Sequence, residues 1–272
     1  MKTLFVSDLD GTLLNSDKRI TPFTAEVINE LVRQGECFCY ATARSLITAR
    51  QVTSELSCPF PVICYNGVFI RDNTDGHYIL KRTFEKEKLL PLIDKLISKS
   101  QWPIVYALID GEEKYSYIKS ALTPYQREFI ISRGNDPRDR EVFSLKELCE
   151  GEIFYLSYLD SEEGLAPLDR LCEGFGIHLL QKDTYDDFYW LEIMPENATK
   201  AKAASELAEL LGCERIVAFG DGLNDLELFG IADEAYAVAN AGDELKSSAK
   251  AVIASNDEDG VAGWLKENVL TK

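Results

Sequence analysis

The sequence predicts an α/β protein, a three-layer parallel sheet wound with helices and interrupted by a second α/β unit. Three observations carry that reading. Short apolar runs ending in small polar residues alternate with stretches of helical spacing through the first third of the chain. The rhythm changes after Asn66–Gly67 and resumes at Tyr189. The length, 272 residues, suits two domains better than one.

The elements follow in order. Residues 3–6 are apolar and end in Ser7–Asp8, as a buried parallel strand does. Thr21–Pro22 offers an N-cap and a first-turn proline, with Phe23, Val27, Ile28 and Leu31 at helical spacing before Gly35. Residues 37–41 read as a second strand, 46–56 as a helix and 61–65 as a third strand. Residues 68–70 and 78–80 read as paired antiparallel strands about the Asn73–Gly76 turn. Within the inserted unit, helices are expected over 86–98 and 165–175, and strands over 104–109, 115–118, 153–159 and 177–181. Two short helical stretches lie between them, and 135–140 reads as a polar loop. A helix over 200–211, a strand over 216–219, a helix over 223–229, a strand over 235–238 and two helices complete the chain. The expected division is 1–82 with 189–272 for the sheet domain and 83–188 for the insertion.

Apolar residues make up 46% and charged residues 28%, the balance of a folded soluble protein. The formal charge of −17 argues against nucleic acid and anionic membranes as partners, since phosphate backbones demand a basic footprint. A small phosphorylated ligand is still compatible, because one metal ion and a few placed cations reverse the field locally. Seven cysteines without a CxxC pair fit reduced, mostly buried thiols. Cys37 and Cys39, on one face of a strand, read as core rather than as a metal pair. With no signal peptide and no membrane-length apolar stretch in the sequence, the expected location is cytoplasmic.

Parallel sheets bind ligands at the carboxyl ends of their strands. Those ends carry Asp8, Thr42, Asn66 and Asp221. Asp8 and Asp10, two apart at a strand end, can divide labour between a nucleophile and a proton donor and acceptor. Gly11 permits a sharp turn, and Thr12 can bond the turn or position Asp10. Asp221 and Asp225, among the glycines of Gly220-Asp221-Gly222-Leu223-Asn224-Asp225, are hard oxygen ligands of the kind that suits Mg2+; an N-capping Asp with an exposed Asp behind it is the alternative. Thr42, in Ala41-Thr42-Ala43-Arg44, precedes a helix whose amides can hold a phosphate. Lys200 opens a helix against its dipole, so it either has an anionic neighbour or is an ordinary exposed lysine. Asn66–Gly67 reads first as a hairpin turn. Arg44 is either a substrate contact or a helix-surface residue. His77 and His178 lie outside every motif, which disfavours a histidine-based mechanism.

Asp8-x-Asp10-Gly-Thr, Thr42, Lys200 and Gly220-Asp221-Gly-x-Asn-Asp225 resemble, in order, the four motifs of the haloacid dehalogenase-like superfamily. The insertion and Asn66–Gly67 resemble its Cof-type phosphatase branch. The resemblance implies a Rossmann-like core with an inserted α/β cap that sets substrate specificity, and a Mg2+-dependent phosphatase of small metabolites such as sugar phosphates or phosphorylated cofactors. It implies that Asp8 is the nucleophile and a metal ligand, forming an aspartyl-phosphate, with Asp221 as the other carboxylate ligand. Asp10 would be the general acid/base and offer its backbone carbonyl to the metal. Thr42, Lys200, Asn224 and the amides near Leu9 and Ala43 would hold the phosphoryl group, and Asp225 would support the ligands. The Asn66–Gly67 turn would line the entrance. Ala43, Asn197-Ala198-Thr199 and Ala201 depart from the branch's usual glycine, Gly-Val-Ser and glycine. A phosphomutase of the same superfamily and a non-catalytic phospho-ligand sensor stay open as alternatives.

Overall fold

In the computed structural model, which describes residues 2–57 and 59–271, the chain forms two compact units, one running to Lys81 and again from Ala198, the other Arg82–Asn197. The first opens with β1 (Thr3–Ser7), buried along its length. Helix α1 (Pro22–Arg33) starts as its sequence dictates, the Thr21 hydroxyl accepting from the Thr24 N–H and Pro22 taking the first turn. Strand β2 (Cys37–Tyr40) and helix α2 (Leu46–Val52) follow. The helix stops short of the expected residue 56, with the Thr53 hydroxyl bonded back to the Ala49 carbonyl. Strands β3 (Pro61–Cys64), β4 (Phe69–Asp72) and β5 (Tyr78–Lys81) form an antiparallel three-stranded sheet, to which the β2 side connects through one parallel bridge, Ala41 to Ile63.

The second unit is a six-stranded sheet with helices. Its elements are α3 (Lys86–Ile97), β6 (Ile104–Ile109), β7 (Glu112–Tyr117), α4 (Pro124–Ser132), β8 (Asp139–Glu141) and α5 (Leu145–Leu148), then β9 (Glu152–Asp160), α6 (Glu162–Leu171), β10 (Ile177–Lys182) and β11 (Tyr189–Met194). The strand order is β10-β11-β9-β6-β7-β8. Leu89, Ile93 and Leu96 of α3 and Leu165 and Leu168 of α6 pack with Val105, Leu156, Leu191 and Ile193 in its core. Two expectations shift here. The chain returns to the first unit after Asn197 rather than after 188, because Tyr189–Met194 pairs antiparallel with both β9 and β10. The stretch 135–140 is not simply a polar loop. Asp136 and Arg138 form a nearly buried ion pair, and Asp139–Glu141 adds a parallel strand beside β7. In this unit Tyr115 and Tyr117 are buried, and the rings of Tyr125, Phe188 and Trp190 touch in a row.

The return supplies α7 (Lys200–Leu211), β12 (Arg215–Gly220), α8 (Leu226–Ile231), β13 (Glu234–Val238), α9 (Asp243–Ser248), β14 (Ala251–Ile253) and α10 (Gly260–Leu265). The parallel sheet reads β14-β13-β12-β1-β2. Its register sets Ser7 opposite Phe219 on one side and Tyr40 on the other, so the strand ends that carry Asp8, Thr42 and Asp221 lie side by side. Strand β14 is an addition to the sequence reading: at three residues, and mostly exposed, it has no pattern to betray it. Among the described residues, the cysteines are free thiols, and no helix is long and apolar enough to cross a membrane. Cys58 lies outside the described residues.

Candidate active site

The site grows from the end of β1. Asp8 leaves the strand with its N–H on the Phe219 carbonyl, and the chain turns through residues Leu9–Leu13 in one wide turn closed by Leu14 N–H on the Leu9 carbonyl. Gly11 makes the turn possible: its φ of 77° is left-handed, where a side chain would strain the backbone. Leu9 and Thr12 are buried, and Asp10 is partly open. Thr12 does not reach Asp10. Its hydroxyl donates to Asp221 Oδ1 at 2.9 Å, tying the first motif to the last.

Lys200 is the centre of charge. It is the first residue of α7, behind the Thr199 N-cap, and its side chain has no solvent exposure. Its Nζ donates to Asp8 Oδ1 at 2.6 Å and to Asp225 Oδ1 at 2.7 Å. These are the anionic neighbours that a lysine at a helix N-terminus demands. Burial pulls the ammonium pKa down, and Asp225 and Asp8 more than reverse it, so the pKa stands above the ordinary value and Lys200 remains a cation. Asp225 Oδ2 accepts from the N–H groups of Asp221 and Gly222, so this carboxylate is a bracket rather than an exposed acid.

Three carboxylates, Asp8, Asp221 and Asp225, offer oxygens within 4.8 Å of one another, against one ammonium. Burial, opposed by Lys200 and reinforced by Asp225 and Asp221, raises the Asp8 pKa well above the carboxylate range. Burial and the charge of Asp225 push Asp221 up to about 7. Surplus negative charge of this kind is what a divalent cation neutralises, and among the described residues Asp8 Oδ2 and Asp221 Oδ2 accept no hydrogen bond. The donor set therefore fits Mg2+, a hard ion that takes one or two carboxylates with backbone carbonyl, water and phosphate oxygens. A second acidic group, Asp72, Asp75 and His77, lies in the β4–β5 turn, where Asp72 Oδ1 and Asp75 Oδ1 accept from turn amides.

The remaining predicted residues gather around this centre. Thr42 is buried, with its N–H on the Ile63 carbonyl and its hydroxyl accepting from the Arg44 N–H. Ala43 is half-buried beside it. Asn66–Gly67 does sit in the hairpin loop joining β3 to β4, and Asn66 also takes a role there: its Oδ1 accepts from Asn224 Nδ2 at 3.1 Å. Gly67, at φ 107°, passes so close to α7 that a Cβ would lie 2.2 Å from the Thr199 carbonyl oxygen. Arg44 turns inward and clasps the Asp10 carboxylate, rather than lying on the helix surface. Two residues went unread in the sequence. Asn240, just past β13, donates to the Gly11 carbonyl, and Asn256 donates to that of Leu14. The strand-end rule that found Asp8 and Asp221 extends to Asn240.

The acidic, lysine-bridged centre stands at the carboxyl ends of a parallel sheet, where such sheets bind their ligands, in a chain that also carries an inserted α/β unit. The family model for haloacid dehalogenase-like hydrolases matches residues 5–265, and the chain belongs to that family, in agreement with the motif resemblance. It is an enzyme acting on phosphoric monoesters. A 5-amino-6-(5-phospho-D-ribitylamino)uracil phosphatase of Bacillus subtilis is 30% identical over 96% of this chain and 96% of its own. A second B. subtilis phosphatase of the same description is 28% identical, over 97% and 96%. A Thermotoga maritima crystal structure, 29% identical, superposes with a TM-score of 0.78 over 98% of this chain and 97% of that one.

Proposed function

We propose that the enzyme hydrolyses small phosphorylated metabolites through an aspartyl-phosphate on Asp8, with Mg2+ bound. The observation that carries this reading is the Asp8–Lys200–Asp225 bridge beside Asp221, a buried nucleophile with a fixed cation and excess carboxylate. Asp8 attacks phosphorus as the bond to the leaving oxygen breaks. Asp10 gives that oxygen its proton, then takes one from the water that attacks the aspartyl-phosphate and releases inorganic phosphate. Thr42, Lys200, Asn224 and the amides of Leu9 and Ala43 hold the phosphoryl oxygens. Asp8, Asp221 and the Asp10 carbonyl would hold Mg2+, which supplies charge neutralisation beside the transferring group.

The inserted unit is assigned the choice of leaving group, on the resemblance to the Cof-type branch. The two B. subtilis relatives put 5-amino-6-(5-phospho-D-ribitylamino)uracil first in a substrate panel, ahead of sugar phosphates and phosphorylated cofactors. Phosphate release across that panel, with Mg2+ and with excess chelator, tests the proposal. Full turnover in chelator, or in Asp8→Asn, overturns the mechanism. Turnover that requires a bisphosphate activator assigns a phosphomutase instead.

A further inference from the structure

We infer that Asn240 and Asn256 are positioning residues for Asp10, acting through the backbone of the turn that presents it; the inference rests on the acid/base role proposed for Asp10. The carboxylate of Asp10 is oriented at its tip by the partly exposed Arg44 guanidinium. The backbone beneath it is fixed from the other side. Asn240 Nδ2 donates to the Gly11 carbonyl at 2.7 Å, and Asn240 Oδ1 accepts from the Asn256 N–H at 3.0 Å. Asn256, itself buried, donates from Nδ2 to the Leu14 carbonyl at 2.9 Å.

The two partners of Asn240 dictate the residue. A carbonyl can only accept and a backbone N–H can only donate, so the side chain between them must offer one of each from one planar amide. Aspartate lacks the donor, and alanine lacks both groups. Gly11, with a left-handed φ and no side chain of its own to anchor it, takes the Asn240 bond directly on its carbonyl. The relay therefore pins the turn at Gly11 and Leu14, while Thr12 pins it to Asp221. Asp10, one residue before Gly11, inherits that placement.

The test is a double-mutant cycle in the full-length enzyme with Mg2+ and a turned-over substrate. Asn240→Ala is expected to lower kcat by about 10- to 100-fold, the scale of an ångström-sized misplacement, with KM within a few-fold. In the Asp10→Asn background the same change is expected to cost less than about 3-fold, because the group it positions is already gone. Asn256→Ser, which keeps its backbone N–H on Asn240, serves as the milder variant and is expected to show a smaller loss with the same non-additivity. Thermal melts establish that each variant is folded. Equal losses in both backgrounds, or an Asn240→Ala enzyme within a few-fold of wild type, overturn the inference alone. An Asp10→Asn enzyme that turns over normally overturns the reading of Asp10 and the inference with it.

Discussion

The Arg44 guanidinium clasps the Asp10 carboxylate along its edge, Nε donating to Oδ2 at 2.7 Å and Nη2 to Oδ1 at 2.6 Å. A paired contact of this kind fixes orientation as well as charge. It also joins the turn after β1 to the turn after β2, so two strand ends share one constraint. Arg44→Ala is expected to lower kcat/KM by roughly 10-fold, the scale of a few charge-assisted hydrogen bonds' worth of orientation. Arg44→Lys is expected to recover part of it, since an ammonium supplies the charge without the planar fork. Steady-state kinetics on both variants decide: equal rates for alanine, lysine and wild type would remove Arg44 from the mechanism.

Asp10 itself carries the proton in the proposed chemistry. Asp10→Asn is expected to bind substrate nearly normally and to turn over at least ~10²-fold more slowly, the lower end of general acid–base contributions. Single-turnover measurements separate binding from chemistry here. A variant within a few-fold of wild type would move the proton transfer to another group.

Asp225 and Asp8 flank the same lysine and should fail differently. Lys200 and Asp225 are both fully enclosed, and Asp225 also holds two backbone N–H groups. Asp225→Ala strips a buried cation of a partner and is expected to cost about 3–5 kcal/mol of stability. Asp8→Asn leaves Asp225 on Lys200 and is expected to fold while losing turnover. Chemical denaturation of both proteins checks this. An Asp225→Ala protein as stable as wild type would show that the bridge does not support the fold.

Much of this was legible before the structure, and the reasons are local. Thr21–Pro22 sets the start of α1 through chemistry confined to a few neighbouring residues. Asp8, Thr42 and Asp221 were found because a parallel sheet brings its carboxyl ends together whatever the loops do. What could not be read depends on partners far along the chain. Arg44 meets Asp10 across 34 positions, Thr12 meets Asp221 across 209, and Asn240 meets Gly11 across 229. The boundary after 188 failed for the same reason. Tyr189–Met194 alternates like any strand, and only its partners, β9 and β10, say which sheet it joins.

The acidic centre makes stability depend on pH, and magnesium should change that dependence. In the metal-free protein, burial and Asp225 raise Asp221 to about 7, and burial leads the causes that raise Asp8. A carboxyl whose folded pKa is raised holds a proton that the unfolded chain releases. Its contribution is therefore complete below the ordinary carboxylate range and is lost as pH rises through the folded value. The metal-free enzyme is expected to lose stability between pH 5 and pH 8, roughly the window around the Asp221 pKa of about 7. Mg2+ binds the deprotonated carboxylates, so its affinity should grow over the same window as the protons leave. Melting curves at pH 5.5, 7 and 8, with chelator and with Mg2+, are the measurement, the three values being chosen to lie at about and on either side of 7. The Mg2+-induced rise in Tm should be largest at the highest pH and small at the lowest, and Asp221→Asn should abolish most of the difference. A Tm indifferent to Mg2+ at every pH, or a larger rise in acid than in base, would show that Asp8 and Asp221 do not hold the ion.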